Sequence, residues 1–545
     1  MSSHLVSVEA PEPPLADWLE PSLADTAGRD PLGLNTITLD RVLPDLIPAI
    51  LQISERARYF SIYPWMLWQF KERRLAATAS ELDRFIRRRE YELCLAMKLC
   101  PHCEVASAIG SKNAGPRVTA GEDPFDRGLS IQSAMGGFGL YYRSPLQALG
   151  AVAPAGTPLG PDQTPTPIEV LAQDDLALEL AEAFHSSIEG TEYYRSYERS
   201  TDPIPRQVME ELAEQVCLCR LPHKPAERNA IRRLMFEPRS EQSAAECDAR
   251  RQAFALFLGQ VEAHEEVAFE DGEFWRSLID RFDADPNDDS VRGRTSAAWA
   301  ALAMKECAQD ALCSIWTDFC RSGIAEQGLD GMTAEELRAM IERLATAPQI
   351  ELGGTALEVA PSNSARELQD RAVAAARELD WEDLRAWAAA RDSAVAGLVA
   401  LLVFAARMPD PDAVHPLWRE IAVRHSDHQD GLFGLLSLLR QFLDEDLSVG
   451  ALLARVIQRF LIGPHEAIAY SKLPEATFRF YWEETGRFRF FRPGTGGLDR
   501  FKPSDDRRGP MASLSEDLGF WIHDKEADEV AVTEDGRAFV AGVFG

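Results

Sequence analysis

Lysine is scarce in this chain of 545 residues. Eight of its 57 basic residues are Lys and the rest are Arg, against 87 acids, so the formal net charge is −30. That imbalance excludes a uniformly basic coat for nucleic acid, though not a local basic patch. Long apolar runs are also missing. The most apolar stretch, Ser393 to Ala406, has 14 residues, short of the ~20 that span a bilayer. Arg391, Asp392 and Arg407 flank it, so it reads as a buried core helix and no membrane is expected. The opening residues have no basic segment followed by an apolar one, so no signal peptide is expected and the chain is placed in the cytoplasm. The nine Cys lack framework spacing and read as reduced thiols. No P-loop, dinucleotide fingerprint, nucleophile elbow or kinase motif set is present, nor any repeat of fixed period.

What remains is the composition of a globular protein, 46% hydrophobic and 26% charged. The length suggests three or four domains. Residues 1–34 carry Pro, Glu, Asp and Gly without periodicity and read as a flexible arm. Residues 35–149 form an N-terminal helical domain with a basic and aromatic face, with Ser80 a candidate N-cap and a glycine-rich, loop-like run over 107–145. Residues 150–166 have linker composition. A central helical domain follows over 167–345 and a second helical block over 346–473. At Pro474 the period changes to that of strands. Residues 474–545 read as a β-hairpin and a small α+β domain. The fold class is mainly α, multidomain, with that winged-helix-like C-terminus.

The hairpin carries the first candidate site. Around Glu484-Thr485-Gly486, Phe478, Phe480, Trp482, Phe488 and Phe490 fall on one face and Arg479, Arg487 and Arg489 on the other, because strand side chains alternate. Arg492, Arg500, Lys502, Arg507 and Arg508 extend this island. Arg on one hairpin face suits phosphate contact; the other reading is a solvated outer face. Downstream, Leu518-Gly519-Phe520, Val530-Ala531-Val532 and Thr533-Glu534-Asp535-Gly536-Arg537 resemble the second half of a bacterial winged-helix domain. Gly519 suits a left-handed helix cap and Thr533 an N-cap. The resemblance implies contact with DNA or protein. The wing tip, Asp524 to Glu529, is acidic, so DNA contact, protein contact and a structural role all stay open.

A second island runs from Arg56 to Arg89 and includes Arg73, Arg74, Arg87 and Arg88. It interleaves with Tyr59, Phe60, Tyr63, Trp65 and Trp68, as a stacking platform for single strands would, or as core aromatics with a solvated Arg face. Arg58-Tyr59-Phe60-Ser61 with Trp65, Arg88-Arg89-Glu90, and Gly136-Gly137 before Tyr141 are similar to uncharacterised proteins found beside bacterial anti-phage defence genes. That likeness brings no active site with it.

Cys100-Pro101-His102-Cys103 matches the redox motif of periplasmic disulfide oxidoreductases. That chemistry needs the first Cys at a helix N-terminus after a strand, whereas here the motif follows a helix. As half a zinc site it needs two more ligands, for which Cys217, Cys219 and His223 are candidates. Only one pair has CxxC spacing, so no metal and no cofactor are expected. His425, Asp427, His428 and Asp430 could hold a metal but suit a polar turn. His264-Glu265-Glu266 lacks the second His of a zincin. Asp283/Asp285 and Asp288/Asp289 mimic a nuclease carboxylate cluster within an acidic loop.

The sequence thus points to a non-enzymatic subunit of a bacterial DNA-processing or anti-phage complex. It would bind DNA, or partner proteins such as an ATPase or nuclease, through its basic islands and C-terminal domain. A motif-less metal-dependent nuclease or hydrolase and a purely structural adaptor are the alternatives.

Overall fold

The computed structural model describes residues 30–103, 108–160, 163–263, 271–410, 413–414, 416–419, 432–471, 478–491, 507–524 and 529–545. These are mainly α-helical with few, short strands. The chain divides into two compact units, one of residues 45–269 with 505–545, the other of 1–44 with 270–504. The sequence-contiguous partition does not match them: the expected domain 474–545 is split between the units, because the chain returns to the first unit only after residue 504.

The first unit begins with α1 (Tyr59–Glu72) and α2 (Ala79–Lys98), followed by α3 (Ser111–Thr119) within the glycine-rich run. Thr78, not Ser80, caps α2, its hydroxyl accepting from the Glu81 N–H. Thr78 has the extended backbone that a cap requires. In the linker-like 150–166, the buried Val152 pairs antiparallel with Leu171, while Pro158 and Pro165 pair with each other within an exposed part of the segment. Then come α4 (Asp175–Ile188), α5 (Arg206–Val216), α6 (Pro225–Phe236) and α7 (Glu241–Ala263). α1 packs on α4, and α2 on α5.

In the second unit, α8 (Asp271–Ala284) leads to the 36-residue α9 (Val291–Glu326), capped by Ser290 and buried nearly all round. Its buried charged residues are partnered: Lys305 pairs with Glu306, and Asp310 with Arg385. α10 (Ala334–Leu344), the hairpin of β1 (Ala347–Leu352) and β2 (Thr355–Val359), α11 (Ala365–Ala375) and α12 (Trp381–Arg391) follow. α13 (Ala394–Arg407) is the apolar stretch, buried as expected. It lies so close on α9 that a Cβ on Gly397 would sit 2.4 Å from the Ala311 carbonyl oxygen. Among the described residues no helix is long and apolar enough to cross a membrane. The last five residues of the expected arm dock here: Leu32 and Leu34 are buried, and Asp30 accepts from the Thr36 N–H. After α14 (Leu432–Asp444), α15 (Val449–Val456) and α16 (Gly463–Ser471) comes the hairpin of β3 (Phe480–Trp482) and β4 (Phe488–Phe490), with Phe480 opposite Phe490 and Trp482 opposite Phe488. Its aromatic face packs on Trp316 and Phe319 of α9.

The chain closes in the first unit with α17 (Arg508–Asp517), the antiparallel pair β5 (Trp521–Asp524) and β6 (Glu529–Val532), and α18 (Glu534–Phe544). Gly519 has φ +74° just past α17, and Thr533 caps α18 by accepting from the Gly536 N–H. Both residues act as their local chemistry indicates.

Candidate functional site

Most of the N-terminal island is tied into an ion-pair network, and its aromatics do not form an open face; Lys71, Arg74 and Arg84 are exposed. Tyr59, Phe60, Tyr63 and Trp65 are buried and cannot stack on bases. Arg73 bonds the Glu198 carboxylate at 2.7 Å, Arg88 bonds Glu92 at 2.9 Å, and Arg87 reaches Asp83 at 3.4 Å. The buried Arg89 pairs with both Glu92 and Glu198. Burial pushes the Glu92 carboxyl up, but Arg89 and Arg127 outweigh it and hold it below the usual range. Arg58, within the same island, lies fully buried at the start of α1. It grips Glu227 through Nε and Nη2 at 3.0 and 2.9 Å and donates from Nη1 to the Cys217 carbonyl at 2.7 Å.

The C-terminal island is not one surface either. Arg479 is 5% exposed, which corrects the expectation of three Arg on an open hairpin face. Its backbone N–H donates to Nε2 of the buried His465, whose Nδ1 faces the Pro31 carbonyl. Arg487 bonds the Gly331 carbonyl and Glu336, both at 3.4 Å, and Arg489 pairs with Glu483. Arg507 and Arg508 belong to the other unit. Arg507 is buried, and Arg508 is half-buried, its pKa lowered by that burial. Arg492, Arg500 and Lys502 lie outside the described residues, as do His264 to Glu266 and His425 to Asp430. The helix that a winged-helix likeness would set into a DNA groove is α17. Its exposed residues are Gly509 and Glu516, while Met511 and Leu514 are core and Asp517 binds Arg56 at 2.8 Å. The acidic loop serves local turns: Asp288 accepts from the Ser290 N–H, Asp285 from that of Asn287, and Asp289 pairs with Arg294.

Two further features stand out, the first without any counterpart in the sequence. Beside the hairpin, the α9–α10 connection opens a groove of about 340 Å³ lined by residues that include Glu326, Leu329, Asp330, Glu336, Arg343 and Arg487. Leu329 is 95% exposed.

The second feature is built from residues the sequence had already offered: of the three candidates for the other half of a zinc site, Cys217 and Cys219 do come to Cys100 and Cys103. Cys100, Cys103, Cys217 and Cys219 converge, all four sulfurs within 4.8 Å of one another. Cys100 lies 3.7 Å from Cys219, and Cys103 lies 3.5 Å from Cys217. The first pair follows the C-terminal turn of α2, and the second follows the end of α5. Packing of α2 on α5 brings together residues more than a hundred positions apart. His223 is exposed, and the described metal-capable cluster does not include it. Burial opposes ionisation of Cys100, but the His102 backbone N–H and the neighbouring thiols bring its pKa below the usual value. Burial pushes the Cys219 thiol up to about 12 and Cys217 higher still.

Comparison of the chain with protein-family models, curated proteins and solved structures finds no match.

Proposed function

We propose that this chain is a non-enzymatic binding subunit of a bacterial DNA-processing or anti-phage defence assembly, working in the reducing cytoplasm, and that it binds a partner protein rather than DNA. The observation that carries this reading is the groove at Leu329. A leucine left 95% exposed beside a recess with both carboxylates and guanidiniums supports it, by offering one apolar anchor inside a charged rim. The same surroundings suit DNA poorly. Glu326, Asp330 and Glu336 line the groove, and Arg487 and Arg489 already have carboxylate partners. The likeness of the N-terminal block to proteins encoded beside defence genes supports the kind of assembly.

The test is co-purification of the tagged full-length chain expressed from its own locus. A stoichiometric partner protein is expected with the wild type and absent with Leu329→Asp, while the variant's folded fraction is unchanged. Equal recovery with both proteins would overturn the groove as the docking site. Metal-dependent plasmid cleavage by the purified chain alone would overturn the non-enzymatic reading.

A further inference from the structure

We propose that Cys100, Cys103, Cys217 and Cys219 bind one zinc ion in a closed structural site that ties α2 to α5. The inference rests on geometry. Zinc holds four thiolates at ~2.3 Å in a tetrahedron, which sets the sulfurs ~3.8 Å apart. Two cross-pairs stand at 3.7 and 3.5 Å, and no pair in the set exceeds 4.8 Å. A disulfide would need ~2.0 Å, and all four are free thiols. A cluster of several irons holds its cysteines farther apart than one ion does. Four soft sulfurs around a single point therefore suit mononuclear zinc.

The surroundings are those of a metal knuckle. The His102 N–H points to the Cys100 sulfur and the Cys219 N–H to that of Cys217, bonds that favour thiolates. Arg58 fixes the Cys217 carbonyl at 2.7 Å and is itself locked by Glu227, so the second ligand loop is braced from α1. Binding releases the four thiol protons to solvent as Zn²⁺ is taken up, leaving a site of net charge −2. No electron is transferred. With four protein ligands no position is open for water, so the ion holds structure and does no hydrolysis.

The test uses the full-length protein purified without chelators. Elemental analysis should find one zinc per chain, absent from Cys100→Ser and Cys219→Ser but kept in Cys320→Ser, whose thiol is buried in the other unit. Should the ligand variants not fold, a mercurial thiol reagent added to the wild type should release one equivalent of zinc to a colorimetric chelator. Protein grown in cobalt should show the intense visible bands of a tetrahedral tetrathiolate. Iron in place of zinc, no metal in freshly reduced protein, or Cys100–Cys219 and Cys103–Cys217 disulfides recovered under anaerobic lysis would each overturn the assignment.

Discussion

Arg58 and Glu227 form a bidentate ion pair at 3.0 and 2.9 Å that is shut off from water on both sides. Ser61 adds a hydrogen bond to the same carboxylate at 2.6 Å. The pair joins the start of α1 to the first turn of α6. Breaking one side of a buried pair leaves the other charge uncompensated, which costs about 3–5 kcal/mol. Arg58→Ala should therefore lower the stability of the first unit by about that much in urea denaturation. Arg58→Lys should restore little of it, because an ammonium cannot reproduce the fork. A loss below about 1 kcal/mol for Arg58→Ala would contradict the pair's structural role.

Glu466 predicts a pH dependence. Its carboxyl is largely buried beside Tyr470, and that burial raises its pKa from 4.5 to about 7 against the opposing Trp482 backbone N–H. The folded state keeps this proton up to about pH 7, whereas the unfolded chain releases it near 4.5. The group therefore favours folding at low pH, and this contribution is lost as the pH rises between those values. Allowing for partial solvent screening, the loss is about 1–2 kcal/mol. Glu466→Gln should remove that slope and be the more stable protein at pH 8, as measured by denaturant midpoints at a series of pH values. An unchanged slope would refute it.

Gly323 in α9 sits against the ring of Phe490, which a Cβ would approach to 2.3 Å. In an exposed helix Gly→Ala stabilises by about 0.5–1 kcal/mol. Here Gly323→Ala should destabilise instead, by about 1–3 kcal/mol from overpacking, and should shift the amide signals of β3 and β4. A stabilising effect would mean the hairpin does not seat on α9 as described.

Local chemistry was legible in the sequence, and long-range pairing was not. The alternation at Phe480, Trp482, Phe488 and Phe490 revealed the buried face of the hairpin. Gly519 and Thr533 announced their caps because a cap depends on a few neighbouring residues. Ser80 was mistaken for the cap of α2 because two hydroxyls stood within three positions and only the backbone angles separate them. The arginines deceived for a different reason. Whether Arg73 or Arg89 faces solvent depends on Glu198, and the state of Arg58 depends on Glu227, each more than a hundred residues away. The metal-capable cluster was half legible: Cys217 and Cys219 stood out as possible partners of Cys100 and Cys103, but His223 stood beside them, and a CxC spacing marks no ligand set by itself until α2 and α5 pack together. Leu329 carried no signal, since an isolated Leu in a turn is unremarkable before its exposure is known.

The central claim is that the arginine islands serve the protein's own fold and its partners rather than DNA. It is tested most directly by fluorescence anisotropy with labelled duplex and single-stranded DNA across a salt series, comparing the wild type with Arg487→Ala/Arg489→Ala. Arg479 is left intact because it is buried. For an arginine that does neutralise a phosphate, substitution by Ala lowers the slope of log affinity against log salt by ~0.9 on duplex. The account predicts the same weak or absent binding for both proteins, with the same salt slope. Submicromolar binding by the wild type that weakens in the variant, with a salt slope shallower by about two units, would contradict it.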